Sequence, residues 1–290
     1  MILVTGATGH FGKATIDHLL KKGIPPHTIA ALVRDEAKAT ELKVKGIQIR
    51  RGDYNNYASL QSAFTGIDKL LLVSGNDLQD RLKQQQNAVK AAREAGVKHI
   101  LYTSFARRNE TDTSPIASVG KSHLETENLI KASGIPYTLL LNSLYTDVLP
   151  MFFGEQVLQT GIFLPAGNGK ATFATRNDMA EAAANILIGH GHENKIYTIG
   201  NTESYSLQDA ARILQEITGK PIAYVNPTAA EYIRALTEAG VPEAYISIFA
   251  GFSEAIKQGE FETAGNDLEK LLGRKPATLH DYLTSVYSGK

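Results

Sequence analysis

Through the first half of the chain, short apolar runs alternate with stretches whose apolar residues recur every three or four positions. The runs at 2–5, 28–33, 47–50, 69–73, 100–103 and 138–141 predict strands. The stretches at 13–22, 37–45, 57–64, 80–95 and 122–132 predict helices between them. Strands without polar alternation are covered on both faces, so this order predicts a parallel sheet between two helical layers. After Asn142 the alternation breaks. Residues 146–175 carry Pro150, Gly154, Gly161, Pro165, Gly167 and Gly169 and read as a loop-rich excursion. Residues 177–188 predict one more amphipathic helix and 195–199 one more strand. The stretches at 206–219, 229–239, 243–258 and 267–272 predict further helices.

The first strand runs straight into glycines at three-residue spacing, Gly6, Gly9 and Gly12, and a helix follows. Strand, glycine turn, helix is the context in which such glycines bind a dinucleotide. Gly6 permits the tight turn, Gly9 lets the backbone approach a pyrophosphate, and Gly12 lets the helix pack closely on the strand. The helix N-terminus offers free N–H groups to the phosphates. Gly6, Thr8, Gly9, His10, Phe11 and Gly12 are therefore the candidate phosphate cradle. The expected fold is α/β: a doubly wound parallel Rossmann sheet with helices on both faces and a smaller, mostly helical C-terminal lobe. Residues 1–145 make the nucleotide-binding domain and 177–200 return to it. Residues 146–176 and 201–290 make the substrate-side lobe over the C-terminal edge of the sheet.

Composition narrows the class. The chain has 290 residues, more than one core usually holds, which fits a large domain plus a lobe. Thirty basic residues balance thirty acidic ones, which argues against nucleic acid or an anionic membrane as the main partner. No apolar run has transmembrane length and no secretory signal is seen, so a cytoplasmic setting is expected. There is no cysteine, which excludes thiol catalysis, and the histidines show no metal-ligand spacing. A homo-oligomer is left open.

The end of the second strand selects the cofactor. A carboxylate there pairs with the ribose of NAD, whereas an arginine accommodates the extra phosphate of NADP. The strand ends in Arg34, with Asp35 next. Asp35 competes as a ribose ligand but is better read as the N-cap of the following helix. NADP(H) is expected, with NAD(H) left open. Asp53, after the third strand, reads equally as an adenine contact or a turn residue. Ligands sit beyond the carboxyl ends of such strands. This brings in Ser74, Gly75 and Asn76 after the fourth strand and Asn142 and Tyr145 after the sixth. Tyr145 either donates a proton or walls the pocket.

The glycine spacing resembles the extended and atypical short-chain dehydrogenases, most of which carry a Tyr-x-x-x-Lys pair. None of the twelve tyrosines here has a lysine four residues on. Gly6-Ala-Thr-Gly9, Leu32-Val-Arg34, Lys69-Leu-Leu-Leu-Val-Ser74, Tyr102-Thr-Ser104, His123-Leu-Glu-Thr-Glu127, Tyr137-Thr-Leu-Leu-Leu-Asn142 and Gly191-His-Glu-Asn-Lys195 together resemble the NmrA-like group. Within it they look most like the bacterial NADPH:quinone oxidoreductases and triphenylmethane reductases. The family's usual arginine before the asparagine of the sixth strand is Leu141 here. By resemblance Val119 takes the tyrosine place and His123 the lysine place. His123 is then the one candidate acid in that helix, since histidine titrates near neutrality. Its other reading is a structural histidine at the cofactor's edge.

The resemblance implies NADPH-dependent hydride transfer straight to a quinone or a similar charge-stabilising aromatic acceptor, without flavin or metal. The competing reading is a non-catalytic NADP(H)-binding redox sensor.

Overall fold

The computed structural model describes residues 1–75, 77 and 79–289. In chain order the first half runs β1 (Ile2–Val4), α1 (His10–Lys21), β2 (Ile29–Val33), α2 (Thr40–Val44), β3 (Gln48–Arg51), α3 (Tyr57–Phe64), β4 (Lys69–Leu72), α4 (Arg81–Glu94), β5 (His99–Phe105), α5 (Ala117–Ala132) and β6 (Tyr137–Asn142). Then come β7 (Leu144–Tyr145), α6 (Leu149–Phe153), α7 (Val157–Thr160), β8 (Ile162–Phe163), β9 (Lys170–Ala174), α8 (Arg176–Ile188) and β10 (Lys195–Ile199). The chain ends with β11 (Ser204–Ser206), α9 (Leu207–Thr218), β12 (Tyr224–Val225), α10 (Ala229–Glu238), α11 (Glu243–Lys257), α12 (Asp267–Leu272) and α13 (Leu279–Tyr287).

Seven parallel strands form the main sheet, ordered β10-β6-β5-β4-β1-β2-β3. Consecutive strand residues face opposite layers. Val4, Ala31, Leu71, Leu101 and Leu140 pack under α1 and α8 with Phe11, Ile16, Leu19, Met179 and Leu187. Their neighbours Leu3, Ala30, Leu70, Ile100 and Leu139 pack under α3, α4 and α5 with Leu60, Phe64, Ala88 and Ile130. Burial on both faces is why these strands read as continuous apolar runs. Strand order reverses between β1 and β4, and the crevice beyond their carboxyl ends is where such sheets hold ligands.

Several expectations need correcting. β3 is the sheet's edge, with Gln48 and Arg51 exposed, so it is not covered on both faces. The helix expected at 37–45 is a 3-10 turn, Glu36–Ala39, followed by the short α2. α5 begins at Ala117, five residues before the expected 122, which moves His123 into its second turn. The excursion at 146–175 is not loop throughout. It holds α6, α7 and two strands, with β9 lying between β7 and antiparallel β11, and β8 pairing with β12. α13 had no counterpart in the sequence reading. A third core of Leu149, Phe153, Phe173, Leu214, Phe261 and Leu283 gathers these pieces with α9, α11 and α13.

α1 lies against the loop after β1 at backbone distance. A Cβ on Gly12 would stand 2.5 Å from the Gly6 carbonyl oxygen and 2.9 Å from that of Thr5. Both obstacles are main chain, so neither can swing away. Gly12→Ala is expected to lower stability by about 1–3 kcal/mol, the usual range for overpacking. Urea denaturation of the variant checks this, and an unchanged midpoint would show that α1 does not depend on the contact.

Candidate functional site

Gly6 has φ +57°, the left-handed region that favours glycine, and its Cβ position is 3.2 Å from the Val73 side chain. Gly9 caps α1 without any side-chain bond. The first helical N–H groups, from His10 onward, have no carbonyl of a preceding turn to meet, and so remain available to an anion. Phe11 buries its ring in the core beneath α1, so only its backbone is offered to a ligand.

The loops at the strand ends enclose one cleft of about 1090 Å³. It is lined by Gly6, Thr8, Gly9, His10, Phe11, Gly12, Arg34, Asp53, Ser74, Gly75, His123, Asn142 and Tyr145. Thus the described candidates for the cradle, the strand ends and the acid, Asp35 apart, come to the same place. Asn76 lies outside the described residues. Arg34 is exposed at the end of β2. Asp35 caps the next turn by accepting from Ala37 N at 3.0 Å, and it does not line the cleft. Asp53 accepts from Asn55 N at 2.9 Å, which makes it a turn residue as well as a lining one.

Behind the lining, hydroxyls tie the strand ends together. Thr5 Oγ1 donates to Leu71 O at 3.0 Å and accepts from Val73 N at 2.8 Å. The Tyr54 hydroxyl reaches Val73 O at 2.9 Å, and Ser74 N donates to Thr103 Oγ1 at 2.9 Å. Arg81, at the start of α4, is 8% exposed and donates from Nε to Gly75 O at 2.8 Å. Nothing in the sequence pointed to Arg81, since an arginine that opens a helix reads as a surface charge.

The other half of the cleft is a chamber of apolar and aromatic side chains. Leu144, Leu149, Phe152 and Phe173 meet Tyr245, Phe249 and Phe252 of α11 there. Met151 and Tyr245 remain more than half exposed, at 59% and 55%. Arg176 lies over the Tyr145 ring with its guanidinium carbon 5.5 Å from the centroid, and its Nε is buried without a hydrogen bond. Asn142 Nδ2 donates to Tyr145 Oη at 3.4 Å, while Asn142 Oδ1 is a buried acceptor with no partner among the described residues. Burial raises the Tyr145 pKa, which makes it a poorer acid and favours its reading as a wall.

His123 stands where the two halves meet. Its ring is 6% exposed and lies 6.0 Å from that of Phe105. Nδ1 is 2.8 Å from the Tyr102 hydroxyl oxygen, which is 3.0 Å from Gln85 Oε1. Burial, reinforced by Arg81 and Arg107, pushes the His123 pKa down to about 3. Against the expectation of an acid titrating near neutrality, a dry site beside two guanidinium groups disfavours the imidazolium. Tyr102 is part of a hydrogen-bonded chain. One turn further along α5, Glu127 is bonded to Ser104 Oγ and to Arg107 Nη1 at 3.0 Å. Among the described residues no three His, Asp or Glu gather as a metal site.

A glycine loop at a helix N-terminus, an unencumbered arginine beyond β2 and an orphaned amide oxygen in the same cleft all fit a phosphorylated dinucleotide. Fold and site thus define a Rossmann-type nucleotide-binding protein with a separate aromatic chamber. The NmrA-like family model matches residues 1–283, and the chain belongs to that family. It is 36% identical over 289 residues to quinone oxidoreductase 2 of Escherichia coli, covering 99% of each chain. Among solved structures it is 40% identical to the triphenylmethane reductase of Citrobacter sp. complexed with NADP(H), with a TM-score of 0.90 over 99% of this chain and 100% of that one. It is 35% identical to the NADPH-dependent quinone oxidoreductase of Escherichia coli complexed with NADPH, again with a TM-score of 0.90 over 99% and 100%.

His123 is not the only histidine held neutral. Burial lowers His99 to a pKa of about 4, and its Nδ1 has no partner. In the unfolded chain both titrate near 6.5. Below that pH the unfolded state binds more protons than the native one, so stability falls as pH falls towards 4 and 3. Each histidine contributes a slope of up to about 1.4 kcal/mol per pH unit. Urea denaturation at pH 7, 6 and 5 is expected to show a smaller slope in His123→Gln than in the original chain. Equal slopes would mean that His123 titrates alike in both states.

Proposed function

We propose that the chain is an NADPH-dependent oxidoreductase that passes a hydride directly to a quinone or a comparable charge-stabilising aromatic acceptor. The continuity of the cleft carries this reading: a cradle fitted to phosphates opens into a chamber fitted to a flat apolar ring. The family relatives named above support it. Residues 1–145 and 177–200 serve the cofactor in this reading, and residues 146–176 and 201–290 serve the acceptor. A cytoplasmic setting belongs to it. No described helix is long and apolar enough to cross a membrane.

The N–H groups at the start of α1 and the turn at Gly6 and Gly9 hold the pyrophosphate. Arg34 holds the 2′-phosphate with its guanidinium fork. Ser74, Gly75 and Asn142 line the path towards the chamber, where the aromatic walls orient a ring and exclude water. NADPH supplies a hydride when bound, and the protein supplies geometry.

The acceptor class follows from the missing acid. Reducing a plain ketone leaves an alkoxide, for which water's pKa of about 15.7 is a stand-in. A quinol oxygen resembles a phenol, near pKa 10. The gap of roughly six units is on the order of 8 kcal/mol less charge to neutralise. A quinone therefore needs no strong proton donor, and its product takes protons from water.

Arg34→Ala is expected to weaken NADPH binding about tenfold or more while sparing NADH, since a charge-assisted contact is worth about 1.5–3 kcal/mol. Titrating both cofactors against both proteins checks this. Equal affinities in the original chain would take the phosphate away from Arg34.

In an NADPH-consumption assay quinones should outpace aliphatic ketones by about a thousandfold, even if only half of the pKa gap is realised. Comparable ketone turnover would reveal an acid elsewhere. Tight NADPH binding with no turnover of any acceptor would favour a redox sensor.

A further inference from the structure

Behind the cleft, a short chain of hydrogen bonds decides which nitrogen of His123 carries the proton. Thr126 has one hydroxyl proton, and its Oγ1 lies 2.7 Å from the Ser122 carbonyl oxygen, which can only accept. That proton is therefore spent within α5. The same Oγ1 also contacts the Gln85 side-chain amide, so Gln85 must present a donor there. The structure turns Gln85 Oε1 to both Thr126 and Tyr102; that orientation demands a second proton from Thr126 and leaves Gln85 Nε2 buried without an acceptor among the described residues. A buried orphan N–H is rarer than a buried orphan carbonyl. Turning the amide over, so that its NH2 group faces both Thr126 and Tyr102, removes both faults, and amide orientation is set by such a network.

With Gln85 donating to its oxygen, and with the neighbouring Thr126 hydroxyl already engaged by Gln85 and Ser122, Tyr102 sends its own proton to His123 Nδ1, 2.8 Å away. Nδ1 is then an acceptor, and the ring's proton sits on Nε2. Among the described residues Nε2 has no partner. Unlike the nitrogen of Gln85 it is not sealed from solvent, and His123 lines the cleft beside Phe105. Two charged groups act on the ring, Arg81 from α4 and Arg107 from the segment after β5, and Glu127 lies one turn further along α5. The Glu127 carboxylate is engaged by Arg107 and Ser104, so no carboxylate is left to draw a proton onto the imidazole.

We propose that Gln85 and Tyr102 are positioning residues that hold His123 as the neutral Nε2–H tautomer, and that His123 hydrogen-bonds through Nε2–H to an oxygen of the acceptor. This rests on the oxidoreductase reading above. His123 keeps its proton throughout: it stabilises the negative charge that develops on the quinone oxygen, as neutral imidazoles can. The proton that completes the quinol comes from water.

The test reverses the chain's direction. Full-length protein labelled with 15N-histidine, with His123 assigned by comparison with His123→Gln, is expected to show Nδ1 unprotonated and Nε2 protonated from pH 8 to pH 5. In Gln85→Glu the carboxylate accepts from Tyr102, whose oxygen then accepts from His123, so Nδ1 gains a proton. Quinone turnover at saturation should fall about tenfold to a hundredfold, the range for losing one donor to a developing oxyanion. NADPH affinity should stay within about twofold of the original, since the replaced group does not touch the phosphate cradle. A proton on Nδ1 in the original protein overturns the proposal, as does a Gln85→Glu protein with unchanged tautomer and turnover. If Gln85→Glu does not fold, the original spectrum alone decides. An Nε2–H ring in a protein that reduces no quinone upholds the hydrogen-bond chain and overturns the proposed function instead.

Discussion

Helix α1 reaches its place only because position 12 has no side chain, and much of the molecule hangs from that approach. With the Gly6 carbonyl 2.5 Å from where a Cβ would be, the helix is pressed against its own loop, and its N–H end faces the cleft. The far side of α1 packs on α8, joined by His18 Nε2 to Asn177 Oδ1 at 3.1 Å and Lys22 to Glu181 at 3.2 Å. Helix α8 in turn receives Ala277 N on Asp178 Oδ2 at 2.8 Å and Arg274 on both carboxylates. One backbone contact therefore aligns the phosphate end of the cleft with the segment that carries α13 into the third core.

The aromatic side is aligned by a different device. Arg107 and Glu127, with side chains 2% and 6% exposed, tie the end of β5 to the middle of α5. Two charges this deep repay their desolvation mainly through geometry, and removing one partner typically costs about 3–5 kcal/mol. What the pair fixes is direction. Arg107 Nη1 also donates to Phe105 O at 2.8 Å, and Phe105 sets its ring edgewise to Phe261, 5.4 Å between centroids. The wall of the chamber and the helix bearing His123 are thus held by one buried ion pair.

The sheet was legible because a strand covered on both faces has no polar alternation to blur it, and the phosphate cradle because glycines mark its turn. β10 and α12 fell at the residues expected for them. The second half was less legible for physical reasons. β7 and β8 are two residues long, too short for a period to show, and β9 is held by partners distant in sequence. α13 is amphipathic over only nine residues, which a window of eleven or more averages away. In the site, positions beyond strand ends were readable because topology dictates them. Arg81, Gln85 and Arg107 were not, since an arginine or glutamine becomes a buried partner only once a second helix covers it. His123 could be placed but not titrated: its pKa depends on two arginines that no local pattern joins to it.

That depressed pKa and the missing Tyr-x-x-x-Lys pair are two sides of one condition. An imidazolium at position 123 would have to share a nearly dry site with Arg81 and Arg107, and no carboxylate there is free to balance it. Adding a cationic acid there would require taking those arginines away. Arg81 fixes the loop after β4 through Gly75, and Arg107 fixes Phe105, so both walls of the cleft would move with them. The scaffold that keeps the cleft in shape is therefore the same scaffold that forbids a charged donor in it. On the proposed reading, chemistry in such a cleft suits acceptors whose reduced form tolerates negative charge until water reaches it. On the same reading the aromatic chamber, where Met151 and Tyr245 are more than half exposed, receives flat apolar rings, the shape those acceptors share.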